Sequence, residues 1–180
     1  RPLRAPKTRI TRPTSDRARE SLFNVLAHAP WAPALAGARV MDVFAGSGGL
    51  GFEAISRGAA FAYFAETARP AQLAISENAK ALNLSDQIYL HRRSAMDLGA
   101  RPEAVEAFDL AFLDPPYQKG LVRHALNSLL SGNWMRPDAL YVVEVARDEP
   151  VDITGFRAVS EKRIGAAKVL FLLRDQGPDL

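Results

Sequence analysis

The chain has 180 residues, 48% of them hydrophobic and 24% charged, with no cysteine and a formal net charge of +3. That length fits one domain of roughly 100–200 residues, and the composition supports a buried core, which excludes a disordered tail. No apolar run approaches the ~18 residues of a membrane span, no charged-then-apolar leader resembles a signal peptide, and the lack of cysteine rules out disulfides and thiolate metal sites and fits a reducing cytoplasm.

Residues 1–13 hold three prolines and little apolar periodicity, so they read as an extended arm. Charge is concentrated there: Arg1, Arg4, Lys7, Arg9, Arg12, Arg17 and Arg19 face only Asp16 and Glu20 within the first 20 residues, a local +5 that leaves −2 for the other 160. A basic arm on a near-neutral body fits a polyanionic partner. A solvated terminal tail is the plainer alternative.

Thr14, Ser15 and Asp16 offer capping side chains and a first-turn acid, and Ala18, Leu22, Val25, Leu26 and Ala29 then recur at helical spacing. Pro30 and Pro33 end that helix. Residues 38–43 read as a buried strand that feeds a glycine-rich stretch, residues 44–51, and a helical stretch to Arg57. A second strand at 61–65 ends on Glu66, and a helix follows over 69–84 with Ala71, Ala74, Ile75, Ala79 and Leu82 on one face. A third short strand at 87–91 leads into a loop over 92–97, and a weak helical segment is expected near 101–107. The apolar run 108–113 is a fourth strand, Val122, Ala125, Leu126, Leu129 and Leu130 mark a further helix, and 140–145 is a fifth strand. The tail, 156–163 and 168–173 around Gly165, reads as a closing hairpin. Strands alternating with helices imply βαβ units and a parallel sheet.

Two stretches carry chemistry. Gly46, Gly48 and Gly51 match G-x-G-x-x-G after a strand and before a helix, with Glu66 20 residues beyond Gly46, which is the nucleotide-site pattern. The pattern alone does not choose a nucleotide. Asp42 immediately before the loop suits a ligand with a cationic amino group and a sulfonium better than a pyrophosphate, because like charges repel. No hydride-transfer constellation accompanies it, and an amine-binding motif follows at the fourth strand, so S-adenosylmethionine is favoured over a dinucleotide. That motif is Asp114-Pro115-Pro116-Tyr117. An exocyclic base amine is a poor nucleophile because its lone pair is delocalised into the ring. The Asp114 carboxylate and the Pro115 carbonyl can accept its two N–H bonds and localise that lone pair, while Pro116 keeps the carbonyl fixed. Tyr117 offers a face for the base, a stacking contact worth ~1–3 kcal/mol. His28, His91 and His124 have no ligand spacing, and no metal is expected.

The sequence resembles the RsmD-type small-subunit ribosomal RNA guanine-N2 methyltransferases. The matching pieces are Arg12-Pro13-Thr14, Asp16-Arg17, Arg19-Glu20 and Leu22-Phe23-Asn24, then Asp42-Val43-Phe44-Ala45-Gly46-Ser47-Gly48, and finally Asp114 to Tyr117. The resemblance runs from about Arg12 to the final strands, and the Arg-Pro-Thr segment discriminates this family from other amino-methyltransferases. It implies an α/β class I methyltransferase fold, Rossmann-like, with seven strands, an antiparallel last strand and helices on both faces. Residues 1–14 would be the basic arm and 15–180 the methyltransferase domain. S-adenosyl-L-methionine would be the donor, S-adenosyl-L-homocysteine the product, and the substrate a guanine of 16S rRNA, usually numbered 966, in the small ribosomal subunit or a late assembly intermediate. By position, Asp42, Gly46, Ser47 and Gly48 would surround the methionine part, Glu66 the ribose, and Thr67, Ser94, Ala95 and Met96 the adenine, with Phe44 also in the cofactor site. Asp114, Pro115, Pro116 and Tyr117 would take the target base, and Arg12, Thr14 and Arg17 would lie near the donor carboxylate or the RNA. A cytoplasmic monomer without membrane or metal partners is expected. Three other readings stay open from the residues: an N6-adenine methyltransferase on DNA or RNA, a nicotinamide-dependent oxidoreductase, and a non-catalytic RNA-binding assembly factor.

Overall fold

The computed structural model describes residues 2–3, 16–116 and 120–176. Eleven principal elements follow one another: α1 (Asp16–His28), β1 (Arg39–Asp42), α2 (Gly49–Ser56), β2 (Phe61–Ala65), α3 (Arg69–Ala81), β3 (Ile88–His91), β4 (Phe108–Leu113), α4 (Leu121–Ser131), β5 (Met135–Ala146), β6 (Phe156–Ile164) and β7 (Ala167–Arg174). The strands form one seven-stranded sheet in the order β3-β2-β1-β4-β5-β7-β6. Strands β3, β2, β1, β4 and β5 pair in parallel, while β7 is antiparallel to both β5 and β6 and so runs alone against the rest. This is the class I methyltransferase architecture that the resemblance implies.

Period-two alternation sorts the strand side chains onto two faces, and both faces are covered, which is why these strands are continuously apolar. Val40, Ala62, Phe64, Leu110, Phe112, Leu140, Val142 and Phe171 pack with Leu22, Phe23 and Leu26 of α1, Leu50 and Phe52 of α2, and Ile75 and Ala79 of α3. Met41, Tyr63, Ala111, Leu113, Tyr141 and Val143 form the opposite core with Val122, Ala125, Leu126 and Leu129 of α4 and with Trp134. Three helices therefore lie on one face and α4 on the other. No helix among the described residues is long and apolar enough to cross a membrane.

The structure corrects the helical segment expected near residues 101–107, which is turns and extended chain. Pro102 starts a turn closed by the Val105 N–H donating to the Pro102 carbonyl at 3.0 Å, and the Arg101 N–H donates across to the Gly132 carbonyl at 2.9 Å. The Arg101 side chain donates to the carbonyls of Asn133 and Val105. Long-range bonds to the end of α4 thus replace the local i to i−4 ladder. Strand β5 also begins five residues before the expected 140, at Met135, which pairs with Phe108. A register irregularity lies between Phe108 and Leu110, and Arg136, Pro137 and Asp138 are exposed opposite it.

Candidate active site

Strand order reverses between β1 and β4: from β1 the chain progresses outward through β2 and β3, and from β4 the other way through β5. In open α/β sheets the crevice for a ligand opens there, beyond the carboxyl ends of the strands. Asp42 is the last residue of β1 and pairs in register with Phe112 of β4; Asp114 follows β4 by one residue. The glycine loop and the Asp114-Pro115-Pro116 segment therefore emerge side by side.

Asp42 is buried, 1% exposed, and its Oδ2 accepts the Gly51 N–H at 3.1 Å. Gly51 is the third residue of α2, so Asp42 does from a neighbouring strand what a capping side chain does at the start of a helix. The residue in the capping position, Gly48, has φ 87°, in the left-handed region that glycine adopts freely, and carries no side chain for the task. Burial pushes the Asp42 carboxyl well above the usual carboxylate range; the Gly51 bond opposes this, and the charges of Asp114 and Glu66 add to it. Those two influences mark the point: three carboxylates converge on one edge of the sheet.

Glu66 holds the loop. Its Oε1 accepts the Gly46 N–H at 2.9 Å, and its Oε2 accepts the N–H groups of Thr67 at 2.8 Å and Ala68 at 2.9 Å. Its backbone N–H donates to the His91 carbonyl at 3.2 Å, joining the ends of β2 and β3. Gly46 has φ 56°, and the Gly48 N–H closes a turn on the Ala45 carbonyl at 2.8 Å. Beneath the loop, a Cβ on Gly51 would lie 2.4 Å from Phe64 Cε1, so glycine is required for α2 to approach β2.

The other expected donor residues surround this edge unevenly. Phe44 is partly buried against the α4-side core, Ser47 is partly buried, and Thr67 is exposed at the start of α3. Ser94, Ala95 and Met96 lie in a turn after β3: the Met96 N–H donates to Ser94 Oγ at 3.2 Å, and the Asp97 N–H to the Ser94 carbonyl at 2.9 Å. Ala95 is buried in the core, whereas Met96 is 39% exposed. Asp114 and Pro115 are half-buried, Pro116 is exposed, and Arg17 is exposed on the first turn of α1. Arg12, Thr14 and Tyr117 lie outside the described residues.

Two residues join this region that the sequence did not assign to the glycine loop. Asn78, 4% exposed on α3, donates through Nδ2 to the Ser47 carbonyl at 3.3 Å and tethers the glycine loop. Its signal was present, since an amide stands between Ile75 and Ala79 on an otherwise apolar helix face. Arg19 of α1 reaches Gly49 at the start of α2, an approach between distant segments that no local pattern announces.

The residues fit S-adenosylmethionine. Glycines with positive φ let backbone come close, and three convergent acids suit a ligand bearing a sulfonium and an ammonium. The chain is also similar to known proteins. The family described as conserved hypothetical protein 95 matches residues 1–173. The ribosomal RNA small subunit methyltransferase D of Haemophilus influenzae is 38% identical over 78% of this chain and 70% of its own length. The protein of that name from Escherichia coli is 35% identical over 80% of this chain and 69% of its own. A solved Escherichia coli structure provisionally described as a methyltransferase superposes with a TM-score of 0.77 at 30% identity, covering 98% of this chain and 92% of that one.

Proposed function

The chain belongs to the conserved hypothetical protein 95 family, and on that premise we propose that it methylates the exocyclic N2 of a guanine in 16S rRNA of the small ribosomal subunit, with S-adenosylmethionine as donor. At the coarser level it is a class I S-adenosylmethionine-dependent RNA methyltransferase, related to the RsmD-type proteins. The observation that carries the reading is the placement of Asp42 at the end of β1 and of Asp114 just past β4, on hydrogen-bonded strands at the switch point.

When bound, S-adenosylmethionine supplies a methyl group made electrophilic by its sulfonium and leaves as S-adenosylhomocysteine. The chain's own residues bind, orient and hold protons. Asp42 and Glu66 keep the glycine loop in shape through Gly51 and Gly46 and present negative charge to the donor's cationic end. Thr67, Ser94, Ala95 and Met96 border the adenine, and Glu66 lies on the ribose side. The Asp114 carboxylate and the Pro115 carbonyl accept the two N–H bonds of the guanine amine, so its lone pair is directed out of the ring plane. As the new N–C bond forms, the nitrogen sheds one proton, and Asp114 is placed to take it. Pro116 fixes the carbonyl and Tyr117 stacks on the base, which is splayed out of its RNA stack. Arg12 and Thr14 of the basic arm and Arg17 at the start of α1 guide the RNA. On this reading the enzyme acts as a cytoplasmic monomer and needs no metal, since orientation dominates transfer from a sulfonium.

The test is methylation of 16S RNA from a strain lacking this gene, with the modified nucleotide mapped and its nucleoside identified by mass. N2-methylguanine formed by the wild type and not by Asp114→Ala is the expected result. N6-methyladenine as the product would overturn the choice of base.

A further inference from the structure

Strand β5 is apolar through Leu140, Tyr141, Val142 and Val143 and again at Val145, yet Glu144 interrupts the run. Both faces of this strand are packed, and a carboxylate is a costly residue to place there. β5 pairs in parallel with β4 in the register Phe112 with Val142 and Leu113 with Val143, so the next step of that register sets Glu144 beside Asp114. On its other side Glu144 pairs with Val169 of β7. Val142 and Val169 pack under α1, α2 and α3, and period-two alternation turns the half-buried Glu144 toward that same face, on which Asp42 follows Val40 by two residues. Glu144 therefore stands one strand spacing, about 4.8 Å, from the amine clamp. Like charges opposite each other on neighbouring strands repel, and a ligand that presents hydrogen-bond donors to both relieves the repulsion.

Guanine is such a ligand. The carbon that bears its amine is flanked on one side by N1–H, a donor. The amine-bearing carbons of adenine and cytosine are flanked there by a ring nitrogen with a bare lone pair, an acceptor. With the Asp114 carboxylate and the Pro115 carbonyl on the two N–H bonds of the amine, a second carboxylate beside Asp114 meets a donor in guanine and a repelling lone pair in the other two bases. We propose that Glu144 selects the base: its carboxylate accepts the N1–H of the target guanine. The inference rests on the guanine substrate proposed above and deepens it. The clamp formed by Asp114 and Pro115 accepts any exocyclic base amine, and Glu144 gives the choice among them a physical source inside the pocket.

The experiment compares guanine with 2-aminopurine, which keeps the amine on the same carbon but has no N1–H. Each is placed at the mapped target position of 16S RNA assembled into small-subunit particles, and the full chain is assayed. Wild type should favour guanine in kcat/KM by at least about 10-fold, the range of a hydrogen bond to a charged group. Glu144→Ala should lower kcat/KM for guanine by about 10- to 100-fold and change that for 2-aminopurine by less than about threefold. Glu144→Gln keeps the shape and adds an amide N–H that can donate to the bare N1, so it should raise 2-aminopurine relative to guanine. Its melting temperature and its affinity for S-adenosylmethionine should stay near wild type. Equal loss on both bases in the two variants would mean that Glu144 only shapes the end of β5, and would overturn the inference while leaving guanine as the substrate. So would a wild type that does not distinguish the two bases. N6-methyladenine as the wild-type product would overturn the guanine reading itself, and this inference with it.

Discussion

Replacing Asp42 by asparagine should stabilise the chain at neutral pH and above, and replacing it by alanine should give a less stable protein than asparagine does. The carboxyl is 1% exposed, accepts one hydrogen bond from the Gly51 N–H and feels the charges of Asp114 and Glu66. Burial, the largest influence, raises its pKa in the folded chain above the unfolded value of about 3.9. The folded state then binds more protons than the unfolded state between the two values, so stability is full below the unfolded pKa and is lost as pH rises through the folded one. Asparagine retains an oxygen for Gly51 and never ionises, so that loss is absent. Alanine leaves a buried N–H without its acceptor, which costs about 1–3 kcal/mol. At about 2–4 °C per kcal/mol for a domain of this size, the alanine variant should melt roughly 2–12 °C below the asparagine variant. Thermal unfolding of the three proteins by circular dichroism, at acidic, neutral and mildly alkaline pH, reads both effects. Wild type and Asp42→Asn should converge at low pH and separate as pH rises, with asparagine the more stable. An asparagine variant as unstable as alanine, or a gap that does not grow with pH, would refute the argument that Asp42 is held at an energetic cost in the fold.

Donor binding should tighten as pH rises through the raised pKa of Asp42, because a cationic ligand favours the carboxylate; calorimetry in buffers of different ionisation enthalpy should detect the proton released. Asp114→Ala should remove methyl transfer while sparing donor affinity more than Asp42→Ala does, measured as rate and binding on the same preparations. Gly51→Ala should destabilise by about 1–3 kcal/mol in denaturant unfolding, because its Cβ would meet the Phe64 ring at 2.4 Å and 2.7 Å in a close-packed layer; Phe64→Leu in the same chain should recover part of the loss. Assembled small-subunit particles should be methylated faster than protein-free 16S RNA, since a short basic arm gives the chain little RNA surface of its own, and equal rates would contradict that.

The strands whose ends were legible are those that change character abruptly. Residues 61–65 and 108–113 are flat apolar runs bounded by polar or glycine-containing sequence, and β2 and β4 occupy those residues. The glycine loop was legible because backbone geometry there demands a residue type. Residues 101–107 misled because their alanines and glutamates favour a helix locally, whereas Arg101 is committed to carbonyls near the end of α4. The early start of β5 was hidden by Arg136, Pro137 and Asp138, whose polarity reflects exposure beside an irregular pairing. At the candidate site, Asp42 was legible as an acid beside the glycine loop, and Glu66 and Asp114 as acids where apolar strands end. Arg19 reaches the loop across a distance along the chain that no local pattern encodes, whereas Asn78 was marked in the sequence as an amide on an apolar helix face and only its partner, the Ser47 carbonyl, was hidden.

The pairing of β1 with β4 has a consequence for how the enzyme comes into being. Arg39 and Asp109, joined by a backbone-to-carboxylate hydrogen bond at the beginning of these strands, are 70 residues apart. A nascent chain that has emerged as far as β3 already contains the glycine loop, Asp42 and Glu66, but not the amine clamp. Closing so long a loop costs entropy before any contact repays it, and non-local strand pairing is slow for that reason. The glycine loop and the Asp114 segment thus lie far apart along the chain and are brought together across this seam. Methyl transfer should therefore arrive late in folding, after the pocket for the donor has local order, when β4 docks and carries Asp114 to Asp42.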